Sequence, residues 1–153
     1  MITLKRSDST SEDFQILIKE LDNVLWSRYS DVQKLYDGFN KVDSIKSVVV
    51  AYINNEPVGC GCFKKLGNDT VELKRMFVSE QKRGRGIATL ILKELELWAG
   101  ELNFSYMVLE TGVRLTEAMA LYKKHQYIIT ENYGQYIGME NSVCMSKNLA
   151  YPR

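Results

Sequence analysis

One histidine, two prolines and three cysteines are all that this 153-residue chain holds of the residues that most often carry metal chemistry, chain breaks or cross-links. A lone His125 excludes a histidine-rich metal centre, and the sequence presents no metal site. Cys60, Cys62 and Cys144 are odd in number and lack C-x-x-C spacing, so they read as reduced, packed thiols of a cytoplasmic protein. No sign of charge dominates either: 20 Lys+Arg face 19 Asp+Glu, for a net charge of +1. That balance argues against a dedicated binder of nucleic acid or of an anionic membrane. No apolar run approaches the ~20 residues of a membrane span. Residues 1–6 lack the charged start and apolar core of a secretory signal.

What remains is a chain of 45% hydrophobic residues, enough for one well-cored domain covering residues 1–153. Residues 2–6 alternate like a short strand. Ser7 to Ser11 offer N-caps, and Phe14, Leu17, Ile18, Leu21, Val24 and Leu25 recur at helical spacing. A second short helix is expected over 31–38, stopped by Gly38. Residues 47–53 are β-branched, Asn54-Asn55-Glu56-Pro57 is a turn, and 58–65 is a further strand. With another turn at Gly67-Asn68-Asp69, residues 47–78 form a three-stranded antiparallel meander. A helix follows from Ile87 to near Gly100, then a strand at 105–109, a helix at 116–124, and strands at 127–130 and 142–147. The strand–helix–strand run from Val71 to Leu109 implies one parallel crossover pair in an otherwise antiparallel sheet. The fold class is mixed α/β.

The most informative segment is Gln81-Lys82-Arg83-Gly84-Arg85-Gly86, where a strand hands over to a helix. The first N–H groups of a helix have no partner within it, and its dipole favours negative charge there. Glycine lets the main chain approach a ligand closely. The turn therefore suits a phosphate or pyrophosphate, although the same residues also suit a tight turn with solvated charges. Neither a P-loop nor a dinucleotide fingerprint is present.

The segment resembles motif A of the GCN5-related N-acetyltransferase (GNAT) superfamily, [Q/R]-x-x-G-x-[G/A], preceded here by Glu72-Leu73-Lys74-Arg75-Met76-Phe77-Val78. Leu109-Glu110-Thr111-Gly112 and the helix Glu117-Ala118-Met119-Ala120-Leu121-Tyr122-Lys123-Lys124 resemble motif B of a bacterial subgroup. So do Val58-Gly59-Cys60-Gly61, Asn132-Tyr133-Gly134-Gln135-Tyr136 and Asn141-Ser142-Val143-Cys144. Two positions depart from the pattern: Thr116 stands where relatives commonly have asparagine, and Gln126 where glycine usually precedes the aromatic residue after the helix.

The resemblance implies a GNAT-like, mostly antiparallel sheet with helices on both faces, and a transferase that moves an acetyl group from acetyl-CoA. The acceptor would be a primary amine of a small molecule or peptide, attacking directly in a ternary complex. It implies main-chain contacts of Met76, Phe77 and Val78 with the pantetheine arm. Pyrophosphate would be held by amides from Lys82 to Ala88, with Gln81, Lys82, Arg83, Gly84, Arg85, Gly86, Ile87, Ala88 and Thr116 as cofactor-binding residues. Tyr122 is the candidate general acid and Glu72 the candidate base. Each has an alternative, Tyr122 as a core aromatic and Glu72 as the ion-pair partner of Lys74 or Arg75. Unpaired buried charge is costly, and Glu110 on the next strand is expected to match part of it. Tyr36, Asn40, Tyr133 and Tyr136 are candidate acceptor-binding residues. A homodimer is common among similar proteins. A non-catalytic CoA-binding regulatory module and a nucleotide-binding protein are the competing readings.

Overall fold

The computed structural model describes residues 1–36 and 44–150, excepting the side chains of 28–36. Its elements run β1 (Ile2–Ser7), α1 (Glu12–Tyr36), β2 (Ser47–Ile53), β3 (Glu56–Lys65), β4 (Thr70–Val78), α2 (Ile87–Glu101), β5 (Tyr106–Gly112), α3 (Thr116–Lys124), β6 (Ile128–Thr130) and β7 (Ser142–Asn148). The seven strands lie in the order β1-β2-β3-β4-β5-β7-β6. The parallel pair is β4–β5, matched from Thr70–Tyr106 to Glu72–Val108, so the expected mixed sheet with one crossover through α2 is found. β7, with Ser142, Cys144, Met145 and Lys147 buried, lies between β5 and the short edge strand β6, whose Ile128 and Ile129 are exposed.

Helix α1 starts where its cap predicts, with the Phe14 N–H donating to Ser11 Oγ at 3.2 Å. The expected second helix over 31–38 is corrected, because α1 continues unbroken to Tyr36. Residues 26–30 contain no glycine or proline to stop it. Gly38 lies outside the described residues. The β2–β3 turn places Asn54 and Asn55 at φ 51° and 67°, the left-handed pair that a tight hairpin needs and asparagine tolerates.

The chain forms two compact units, the first comprising Met1–Lys64 with Lys74–Leu97 and the second Lys65–Leu73 with Trp98–Arg153. In the first unit, Phe14, Leu17 and Ile18 of α1 bury against Val48, Val50, Cys60, Cys62 and Phe77. The alternate residues of β3 turn the other way, toward α2. A Cβ at Gly59 would lie 3.0 Å from the Phe77 carbonyl oxygen and 3.1 Å from Ile91 Cδ1. Helices therefore cover both faces of this part of the sheet.

Within β4, Arg75 sits at the left-handed φ 59°. Arg75 and Phe77 face α1, whereas Met76 faces α2, its Sδ lying against the empty side of Gly61. Residues 75–77 thus alternate in spite of the left-handed backbone. The Arg75 guanidinium donates to Asp22 Oδ1 and, at 3.3 Å, to the Ile18 carbonyl of α1.

Because the nearest neighbour of Gly59 is main chain, which yields less readily than a side-chain end, Gly59→Ala is expected to cost ~1–3 kcal/mol of stability. Urea unfolding would measure it.

Candidate active site

The candidate residues fall in two groups, one in each unit. The first is the junction of β4 and α2. Glu80–Lys82 form a single 3₁₀ turn, in which the Lys82 N–H donates to Ser79 O at 2.8 Å and the Arg83 N–H to Glu80 O at 3.4 Å. Gly84 and Gly86 then adopt φ 80° and 78°, a region that costs a residue with a side chain ~1–2 kcal/mol. Nothing lies within 4 Å of a Cβ built at either position, so conformation rather than crowding calls for glycine there.

The five consecutive N–H groups from Gly84 to Ala88 find no acceptor among the described residues; the Leu90 N–H bonds back to Gly86 O at 3.1 Å. Five unengaged amides at the positive end of a 15-residue helix make a seat for an oxyanion. The diphosphate of an acyl carrier fits this donor set.

The amides of Lys82 and Arg83 are already engaged in the turn, so the unengaged run begins at Gly84. Arg83 folds back, its Nε donating to Val78 O at 3.0 Å and its guanidinium lying 5.9 Å from the Phe77 ring centroid. Lys82 and Arg85 remain as the flanking cations. Gln81 is exposed on the turn, Ile87 is buried under it and Ala88 is half-buried. Thr116 is the first residue of α3 and is exposed.

The second group lies in the second unit and begins with Tyr122, in the last turn of α3 and buried. Its place is set by how the helix ends. The Tyr127 N–H donates to the Tyr122 carbonyl at 3.0 Å, and the Gln126 N–H donates to Lys123 O at 3.0 Å. This pair of bonds is the Schellman ending, which needs a left-handed residue between its partners. Gln126 takes that role at φ 74°, where the family resemblance leads one to expect glycine. The apolar contact of the motif is the ring pair itself, Tyr122 edge-on to Tyr127 at 5.8 Å. Burial, and then the negative charge of Glu110, push the Tyr122 phenol above the ordinary tyrosine range. It therefore stays protonated at neutral pH.

Glu72, only 2% exposed, accepts a hydrogen bond from the Tyr133 hydroxyl at 2.7 Å. Glu110 accepts one from Ser142 Oγ at 2.9 Å. Tyr136 is 2% exposed and meets Tyr133 edge-on at 5.7 Å. Cys144 and Tyr136 both feel the charges of Glu72 and Glu110, and burial is the largest cause raising each of them. Tyr133 and Tyr136, expected to line an acceptor pocket, are thus brought together with Glu72. Asn40, and the side chain of Tyr36, lie outside the described residues.

Sequence reasoning assigned no role to Asn132, whose Nδ2 reaches the carbonyls of Tyr136, Met139 and Ser142 at 3.0, 3.1 and 3.3 Å. An asparagine two residues before a glycine was its only outward signal.

Since Gln126 occupies a conformation that glycine adopts without strain, Gln126→Gly is expected to raise stability by ~1 kcal/mol. A thermal or urea melt would read this as a later midpoint with the slope unchanged.

The GNAT acetyltransferase family model matches residues 11–127. An IAA acetyltransferase of Azospirillum brasilense is 31% identical over 153 residues, 97% of this chain and 98% of the relative. A provisionally assigned acyl-CoA N-acyltransferase from Klebsiella pneumoniae superposes with a TM-score of 0.81 at 27% identity, covering 97% of this chain and 98% of that one. A GNAT acetyltransferase from Elizabethkingia anophelis, solved with acetyl-CoA bound, shares the fold with a TM-score of 0.68 at 20% identity, covering 96% and 97% of the two chains. With a helix-start anion seat, a mixed sheet crossed once in parallel and a family match over most of its length, the chain belongs to the GNAT acetyltransferase family, whose members take acetyl-CoA as acyl donor.

Proposed function

We propose that this protein transfers the acetyl group of acetyl-CoA to a primary amine of a small molecule or peptide by direct attack within a ternary complex. The observation that carries this reading is the run of five unengaged amides from Gly84 to Ala88, flanked by Lys82 and Arg85. When bound, acetyl-CoA supplies an activated thioester. The amides of Gly84 to Ala88 would hold its diphosphate, and the main chain of Met76, Phe77 and Val78 would run beside its pantetheine arm. Fixed N–H donors at the reacting carbonyl stabilise the negative charge that develops there.

In the reaction, the amine nitrogen bonds to the acyl carbon and the carbon–sulfur bond breaks. The proton lost by the nitrogen goes to Glu72, directly or through water, and the departing sulfur receives one from Tyr122. The Tyr122 phenol is protonated at neutral pH, so it holds a proton to give as the carbon–sulfur bond breaks. Glu72 is buried yet hydrogen-bonded by a neutral donor, which leaves it able to take a proton. Cys60, Cys62 and Cys144 are buried, and burial, the largest cause in each case, raises the Cys60 and Cys144 thiols. This supports direct transfer over an acyl-cysteine route.

The test is thiol release from acetyl-CoA across polyamines, aminoglycosides, amino acids and peptides. At least one amine class is expected to raise release above background. If none does while CoA still binds, the catalytic reading gives way to a CoA-binding module. With the best amine, Tyr122→Phe is expected to lower kcat by ~100-fold or more and to leave CoA affinity unchanged. Undiminished turnover in that variant would remove Tyr122 from the mechanism.

A further inference from the structure

The loop between β6 and β7 is drawn around one side chain. Asn132 Nδ2 donates to the carbonyls of Tyr136, Met139 and Ser142. An amide nitrogen has two hydrogens, so one of them is shared between two of the three carbonyls. This gathers both ends and the middle of the loop about a single point. The next residue, Tyr133, is held at two places: its ring edge meets Tyr136, and its hydroxyl reaches Glu72 Oε2. A ring fixed in this way has little rotational freedom, and the plane of the carboxylate it touches is fixed with it.

We propose that Tyr133 is the positioning residue for Glu72: its hydroxyl orients the carboxylate and favours the ionised form that accepts the amine proton, and the Asn132 clamp delivers it. The proposal rests on the reading of Glu72 as base. Burial, and then the hydrogen bond to Glu72, raise the Tyr133 phenol far above the neutral range, so it acts as a donor throughout. Tyr136 beyond β6 and Cys144 on β7 share the field of Glu72, and both also feel Glu110 on β5. A donor hydrogen bond to an ionised carboxylate favours that form.

The NMR arm of the test needs no known acceptor. Protein carrying glutamate labelled with ¹³C at the side-chain carboxyl is titrated by NMR, with the Glu72 resonance assigned by its loss in Glu72→Gln. Tyr133→Phe keeps the ring and its contact with Tyr136 and removes only the hydroxyl. The Glu72 resonance is expected to titrate about one pH unit higher in Tyr133→Phe, the equivalent of a tenfold change in proton affinity. Thermal stability should fall, because a buried carboxylate loses a hydrogen bond, while CoA binding should stay near that of the parent. The acid limb of thiol release should move up by the same amount, lowering kcat on that limb about tenfold without changing KM for acetyl-CoA. A Glu72 titration that does not move overturns the proposal, even if the rate falls. Full turnover in Glu72→Gln overturns the base reading instead, an outcome that the NMR arm keeps distinct.

Discussion

Charge placed in the interior on a central strand has to be matched where it lies. Strand β4 carries Glu72, Lys74 and Arg75 side by side, all buried, and leaving any of them uncompensated would cost several kcal/mol. Arg75 is answered from α1 by Asp22 and the Ile18 carbonyl. Glu72 is answered by a phenol at the far end of the sequence. Residues 72 and 75 lie an odd number apart, so strand alternation alone turns them to different faces and different partners. Two thiols of β3 hold this stretch, since Cys62 and Cys60 donate to the carbonyls of Lys74 and Arg75 at 3.3 and 3.5 Å.

Much of this architecture is legible in the amino-acid order, and the reason is local. Strand 47–53 is a β-branched run closed by an Asn-Asn turn, and helix 116–124 carries Ala118, Leu121 and Tyr122 at helical spacing; both sit where the pattern places them. The glycine turn reads clearly because two glycines just ahead of a helix mark left-handed backbone whatever packs around them. What the pattern hides depends on distance in sequence. No periodicity reveals that β7 inserts between β5 and β6, that Arg83 bends back to Val78, or that a loop tyrosine finds a carboxylate 61 residues away. The length of α1 is obscured for the opposite reason, since residues 26–30 lack a breaker and merely look less periodic.

The end of α3 joins stability to chemistry. The Tyr122 carbonyl closes the helix, its ring packs on Tyr127, and its hydroxyl is the proposed proton source. A glutamine at the left-handed position strains that ending without disrupting it, because both hydrogen bonds of the motif are kept. The departure from the family pattern at Gln126 thus acts on the same turn that orients a proposed catalytic group. The departure at Thr116 falls on an exposed first turn, where the side chain takes no part in capping.

The sealed cysteines have a practical consequence. With Cys60, Cys62 and Cys144 all at 0% exposure, the native chain should be nearly invisible to an aromatic disulfide dye. Colour developing in a reaction mixture then comes from liberated coenzyme and not from the catalyst. A slow rise in its absence would mark molecules that have opened, so one reagent serves as a meter of the reaction and as a clock for loss of the native state.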